Sequence, residues 1–132
     1  NMNIKQLPFQ PMNDVHNKEI EVLKKLLDGI DARLNLDTLF DDFLEDVKNH
    51  FSFEEELMNK YNFFAKVPHK MEHDRILEEL SNIKEAKLDD YEFLDKYFKE
   101  YFIPWLDNHI NTMDTVTAGY FDLNGNYGES TN

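Results

Sequence analysis

Apolar residues return every three or four positions in four stretches of the chain, and that spacing predicts four amphipathic helices. In the first stretch His16, Ile20, Leu23, Leu27, Ile30 and Leu34 share one face, with Asn13 or Asp14 placed to cap it. The second runs from about Thr38 to Tyr61 behind a capping Asp37, with Phe40, Phe43, Val47, His50, Glu54, Leu57 and Tyr61 inward. A loop over 62–67 leads to Pro68 at a first helical position, and His69, His73, Ile76, Leu80 and Ile83 form the third stripe. The fourth, capped by Asp89 or Asp90, turns Leu94, Phe98, Phe102, Trp105, His109 and Met113 inward. Pro104 predicts a kink or break within it, and Gly119 predicts its end. Residues 1–12, with Pro8 and Pro11, read as an arm laying Leu7, Phe9 and Met12 across the bundle end, and 120–132 as a polar tail that frays. The expected fold is all-α, an up-down-up-down four-helix bundle over 13–119.

The polar residues on these stripes are the informative ones. His16, His50, Glu54, His69, His73 and His109 stand where the periodicity otherwise puts Leu, Ile, Phe or Val. A buried carboxylate without a partner costs several kcal/mol, or takes up a proton instead. A lone core His is ordinarily hydrogen-bonded to a carbonyl, and a lone Glu at a bundle end is ordinarily hydrated. Here that explanation would be needed six times, on all four helices, near one level. His50/Glu54 and His69/His73 are four residues apart, so each pair stacks on one helix face. Imidazoles and carboxylates converging between helices suit a borderline metal such as iron or zinc, and two pairs point to a two-metal site. Asp114 is different. Five residues after His109, it is about 140° away on an ideal helix and either reaches a metal from the flank or is a solvated Asp.

Composition narrows the function. With 132 residues the chain is one domain by length, and 11 Phe, 6 Tyr and 1 Trp predict an aromatic interior. The absence of Cys removes disulfides, thiolate metal sites and Cys nucleophiles, and fits a reducing cytoplasm. A formal charge of −13 argues against nucleic-acid or anionic-membrane partners and for a soluble monomer. No stretch approaches a membrane span, and NMNIKQLPFQPM has neither the apolar run nor the cleavage site of a signal peptide.

Three motifs carry a resemblance. HFxxEExxM is matched by His50, Phe51, Glu54, Glu55 and Met58, HxxEH by His69, Glu72 and His73, and WLxxHIxxxD by Trp105, Leu106, His109, Ile110 and Asp114. In this order they resemble the hemerythrin family in its bacterial single-domain form, from about His16 to Asp114. The resemblance implies two iron ions with an oxo or hydroxo bridge. His69, His73 and His109 would hold one iron, His16 and His50 the other, and Glu54 and Asp114 would bridge them. It also implies an O₂ pocket of Phe51, Trp105, Leu106 and Ile110. Three departures stand out: Asn13 where relatives carry Asp, no Trp in the arm, and Pro104 directly before Trp105.

The function expected is reversible O₂ binding for storage, delivery or sensing, without net chemistry. The alternatives are a di-iron oxidase or peroxidase and an iron- or O₂-sensing regulatory module. O₂-activating bundles use carboxylate-rich donor sets, whereas this one is imidazole-rich. No Tyr, Lys or further carboxylate falls on the stripes at site level to act as a general acid or base.

Overall fold

The computed structural model describes residues 4–130, with side chains described through residue 124. It is all-helical, and no strand occurs among the described residues. Helix α1 spans Gln10–Asp31, α2 Asp37–Lys60 and α3 Lys66–Ala86. A fourth helical run occupies 91–130 without interruption. It comprises α4 (Tyr91–Tyr97), a π-helical turn over Phe98–Phe102, α5 (Ile103–His109), a second π turn over Ile110–Asp114, and α6 (Thr115–Ser130).

The helix starts differ from expectation for local reasons. α1 begins at Gln10, so the arm is shorter than 1–12, and Pro11 lies in the first turn, where its missing N–H has no helical partner to lose. Asn13 is not a cap. Its side chain grips Leu7 from both sides, Oδ1 accepting from the backbone N–H at 2.8 Å and Nδ2 donating to the carbonyl at 2.9 Å. Leu7 and Met12 are buried as expected, Met12 from within α1. Asp37 is the first residue of α2 rather than its cap, and Asn35 Oδ1 accepts from its N–H at 2.9 Å. Pro68 is the third residue of α3, again within the first turn. Asp90 does cap the fourth run, accepting from Phe93 N–H at 3.0 Å.

The buried positions follow the predicted stripes, with displacements at helix ends. On α3 the buried set is His69, His73, Ile76, Leu80 and Ile83, as the periodicity predicts. On α1, Leu26 is buried and Leu27 only half-buried, while Leu34 lies beyond the helix end and is 51 % exposed. There Arg33 takes a left-handed φ of 55° and Leu34 N–H closes back on Gly29 O at 3.0 Å, turning the chain toward α2. On α2, Met58 is buried where the stripe named Leu57, and Tyr61 is half-buried. Met113 and Trp105 are half-buried on the fourth run.

That run shows the largest departures. Pro104 does not break it: the π turn over Phe98–Phe102 precedes it, and the wider turn accommodates a residue that cannot donate and whose ring crowds the preceding turn. Gly119 does not end it either, and α6 continues through the segment expected to fray. Tertiary packing outweighs the weak local propensity there. Ala118 and Phe121 are fully buried, Phe121 meets Phe9 edge-on at 5.5 Å, and Tyr120 OH donates to Tyr61 O at 2.8 Å. Phe40, Phe43, Phe98 and Phe102 fill one end of the core edge-to-face, and Phe63 and Phe121 pack together in another part of it. No helix among the described residues is long and apolar enough to cross a membrane.

Candidate metal centre

Seven polar side chains meet inside this apolar frame, none more than 3 % exposed: His16, His50, Glu54, His69, His73, His109 and Asp114. α1 supplies His16, α2 supplies His50 and Glu54, α3 supplies His69 and His73, and the fourth run supplies His109 and Asp114. The two four-residue pairs stack as an ordinary helix requires. His109 and Asp114 meet for another reason, because the turn between them is π-helical with i→i+5 hydrogen bonding, which brings residues five apart onto one face. Asp114 Oδ1 consequently lies 3.2 Å from His109 Nε2.

The seven divide into two groups that share both carboxylates. Glu54 Oε1 is 3.3 Å from the Nε2 atoms of His69 and His73, and Asp114 Oδ1 is 3.1 Å from His69 Nε2. Glu54 Oε2 is 2.6 Å from His50 Nε2 and 3.3 Å from His16 Nε2, and Asp114 Oδ2 is 3.2 Å from His16 Nε2. Between them, Glu54 Oε1 and Asp114 Oδ1 thus face three imidazoles, and Glu54 Oε2 and Asp114 Oδ2 face two. Each group has its candidate donor atoms within 4.8 Å of one another and could hold a metal ion.

The polar atoms inside the gap show that the donor set fits metal. Glu54 Oε1, both Asp114 oxygens and the Nε2 atoms of His16, His69, His73 and His109 are buried with no hydrogen-bond partner. Leaving one such atom unsatisfied costs about 1–3 kcal/mol, so seven in one gap require a common partner. Two donors each ~2.1 Å from one ion and about a right angle apart are separated by ~3 Å, close to the spacings seen here.

The outer ring nitrogens are tethered. His50 Nδ1 is 2.8 Å from Glu19 Oε1, His73 Nδ1 is 2.9 Å from Glu55 Oε2, and His69 Nδ1 is 2.8 Å from Thr117 Oγ1. Thr117 itself donates to Met113 O at 2.8 Å, so its oxygen accepts from His69 and fixes the ring with Nε2 free to bind. Glu19 and Thr117 were missed from the sequence, and Glu19 corrects the expectation that no further carboxylate stands at this level. It is 1 % exposed, three residues after His16, beside the stripe and not on it. A buried Glu one helical turn from a candidate ligand was the available signal. Thr117 carried none, because it comes after a turn whose register the sequence does not declare.

The electrostatics describe a cage that demands positive charge. Burial alone would lower the His16 pKa, but the Asp114 and Glu54 carboxylates overcome it and hold it at about 9. His69 is held at about 9 by the same balance. At His50, Glu54 and Glu19 outweigh burial and push the pKa well above the ordinary imidazole range. Burial and the Glu54 charge work to raise the Asp114 pKa, yet His109 and His16 bring it below the usual carboxylate range. Burial likewise opposes the His50, His16 and His69 contacts at Glu54, and the contacts prevail. Two ionised carboxylates in a dry interior call for cations, and metal ions could supply that charge in place of imidazole protons.

Two of the four residues expected to form a pocket lie against imidazoles of this site. Phe51 is stacked on His73 with centroids 3.8 Å apart, and Trp105 is stacked on His109 at 4.7 Å. Leu106 and Ile110, the other two, are buried, at 3 % and 1 % exposed.

Comparison with known proteins agrees with this geometry. The family model described as the hemerythrin HHE cation binding domain matches residues 8–120. A curated bacteriohemerythrin of Aquifex aeolicus (strain VF5) is 37 % identical over 111 residues, covering 81 % of this chain and 85 % of that protein. Hemerythrin-like proteins of Naegleria gruberi and Naegleria fowleri are each 28 % identical over 107 residues, covering 81 % of this chain and 83 % of theirs. No solved structure gives a significant match.

Proposed function

The chain belongs to the hemerythrin family, and from that premise we propose that it holds two iron ions and binds O₂ reversibly, for storage, delivery or sensing. One observation carries the reading: Glu54 turns Oε1 toward His69 and His73 and Oε2 toward His16 and His50, and Asp114 turns Oδ1 toward His69 and His109 and Oδ2 toward His16. A carboxylate shared in that way bridges two ions. In this reading His69, His73 and His109 would hold one iron and His16 and His50 the other, and the side with fewer imidazoles would be the one to take O₂. The iron pair would supply the redox chemistry that lets O₂ bind. The rest falls to the protein. The four helical runs alternate in direction in this reading, so all four present their donors at one level, and the chain acts as a cytoplasmic monomer.

The surroundings favour binding over turnover. Releasing O₂ in a reduced form needs protons and a stabilised charge, and in this reading the apolar Phe51, Leu106 and Ile110, all buried, would keep out the water that supplies both. The nearby carboxylates are already engaged: Glu19 and Glu55 hold the outer nitrogens of His50 and His73, away from the gap. Glu19 is also the observation that keeps an oxidase or peroxidase as the second reading, since it is a buried carboxylate one ring away from the site.

Two measurements test the reading. Metal analysis of the purified protein is expected to find iron at about two per chain, with colour that develops on adding O₂ to the reduced protein and fades when O₂ is removed. Leu106→Asn or Ile110→Asn should admit water and hasten irreversible loss of that colour. Unchanged or slower loss in both variants would refute the dry wall, and repeated turnover of an added electron donor by the wild type would establish the enzyme reading instead.

A further inference from the structure

A line of aromatic rings leaves the metal centre along the fourth helical run and ends at the surface. The Trp105 indole stacks on His109, with centroids 4.7 Å apart and planes 21° from parallel. Phe51, stacked on His73, reaches the same indole at 6.4 Å. Two of the three imidazoles on one side of the gap therefore lead to Trp105, the chain's single Trp. Beyond it Phe102 lies 5.9 Å from Trp105 and 6.5 Å from Tyr97. Tyr97 stacks with Tyr101 at 6.4 Å, and Tyr101 is 62 % exposed.

Rings touch in any aromatic core, but two hydrogen bonds set this line apart. Trp105 Nε1–H donates to Glu72 Oε1 at 2.6 Å, and Tyr97 O–H donates to Glu79 Oε2 at 2.7 Å. In a chain without Cys, indole and phenol give up a single electron most readily. An oxidised phenol is a strong acid, so its electron leaves easily only where a base can take the proton, whereas an oxidised indole is a much weaker acid and needs only a nearby anion. Glu79 is such a base for Tyr97. Glu72 is instead held by Arg75, Nη2 donating to Oε1 at 2.7 Å and Nε to Oε2 at 3.2 Å, and its anion steadies the charge of an oxidised indole without taking the proton.

We propose that Trp105, Tyr97 and Tyr101 carry an oxidising equivalent from the metal centre to the surface after a peroxide has over-oxidised it. The inference rests on the iron reading above. Trp105 gives up one electron toward the centre and holds the charge as an indole radical cation, its Nε1–H still donated to the Glu72 carboxylate. Trp105 then regains an electron through Phe102 from Tyr97, while the Tyr97 phenol proton passes to Glu79. Tyr101 re-reduces Tyr97, which recovers its proton from Glu79, and the Tyr101 proton goes to water. A soluble thiol restores Tyr101 by giving up one hydrogen atom, and two resulting thiyl radicals join as a disulfide. Each passage reduces the centre by one electron, consumes one thiol hydrogen atom and releases one proton.

Azide radicals generated by pulse radiolysis oxidise the single Trp selectively and start the route without the centre. In the full chain as purified, the Trp radical is expected to decay in a first-order, concentration-independent phase while a tyrosyl radical rises in step. Tyr97→Phe should abolish that phase. Glu79→Gln should slow it, because the amide cannot take the proton although the ring stack remains. In a second experiment, peroxide added to the reduced, iron-loaded protein should give a tyrosyl radical by electron paramagnetic resonance, lost in Tyr97→Phe. Bimolecular decay of the Trp radical, at one rate in wild type and Tyr97→Phe, would overturn the proposal. So would a first-order transfer with no tyrosyl radical after peroxide in protein that holds iron, since the centre would not feed the route. Protein that holds no iron yet transfers from Trp to Tyr would uphold the conduit and overturn the iron reading.

Discussion

On α2 the imidazole and carboxylate of the site, His50 and Glu54, are four residues apart, and an ordinary helix stacks them. On the fourth run the equivalent pair, His109 and Asp114, is five apart and meets only because Ile110–Asp114 is a π turn. Both carboxylates end fully buried, each facing both groups of imidazoles. The same chemistry is thus delivered by a regular element and by an irregular one. The irregular turn has a second consequence: it sets the register of everything after it, including Thr117 beneath His69 and the buried Ala118 and Phe121.

If the two carboxylates are equivalent despite their different supports, removing the charge of either should empty the site. Glu54→Gln and Asp114→Asn keep volume and helix and remove only the anion shared by both groups. Each is expected to drop metal content from about two ions per chain to near zero, because both ions lose a ligand and the imidazoles lose their counter-charge. Metal analysis with circular dichroism as the folding control checks this. Loss in Glu54→Gln beside full retention in Asp114→Asn would show that the π turn delivers a bystander.

Removing the metal asks how far both supports depend on what they hold. The bundle has an apolar core running through it, so the helices should persist after chelation. Stability should still fall, because seven buried polar atoms lose their common partner. Ligand binding at about a thousand times its dissociation constant contributes about 4 kcal/mol. For a domain of this size that corresponds to a fall in Tm on the order of 10 °C after chelation under reducing conditions, read by calorimetry. Equal midpoints with and without metal would contradict a buried site.

A smaller effect separates the two groups of imidazoles. His16→Ala or His50→Ala leaves one side with a single imidazole, so one ion should be lost and about one per chain retained. His69→Ala leaves two imidazoles on its side and should release metal less readily. Retention of both ions in His50→Ala would remove that residue from the set.

How much of this was legible follows the same division. His50/Glu54 and His69/His73 were readable from spacing alone, and α3 buries the residues its periodicity names. His16 and His109 were readable as imidazoles on apolar stripes. Asp114 was not, because residue patterns carry the period of an α-helix and no mark announces a π turn; motif resemblance supplied it. Gly119 and the polar segment after it pointed locally to an end, whereas Phe121 and Tyr120 docked on Phe9 and Tyr61 hold the helix in place. Pro11 misled in the same way: proline discourages a helix interior but not a first turn. Glu19 was hidden by lying beside a stripe drawn too narrowly.

The sharpest test of the comparison deletes one residue from the fourth run. A π turn is an α-helix with one residue too many, so removing Thr112 should convert Ile110–Asp114 to regular helix and place His109 and the following Asp four apart, like His50 and Glu54. Thr112 is exposed, and its side chain only donates back to Asn108 O at 2.7 Å, so little else is lost. The residues on either side keep their faces, because the deletion removes the excess rather than a regular position. Metal content should stay at about two ions per chain, and Tm should move by only a few degrees, as for a surface change within about 0.5 kcal/mol. Deleting Ser52 from α2 is the opposing control: it turns Glu54 and Met58 by about 100° away from the core and should empty the site. Metal loss in the Thr112 deletion as complete as in Glu54→Gln would mean that the π turn does more than absorb a residue, and that its width itself sets the geometry of the gap.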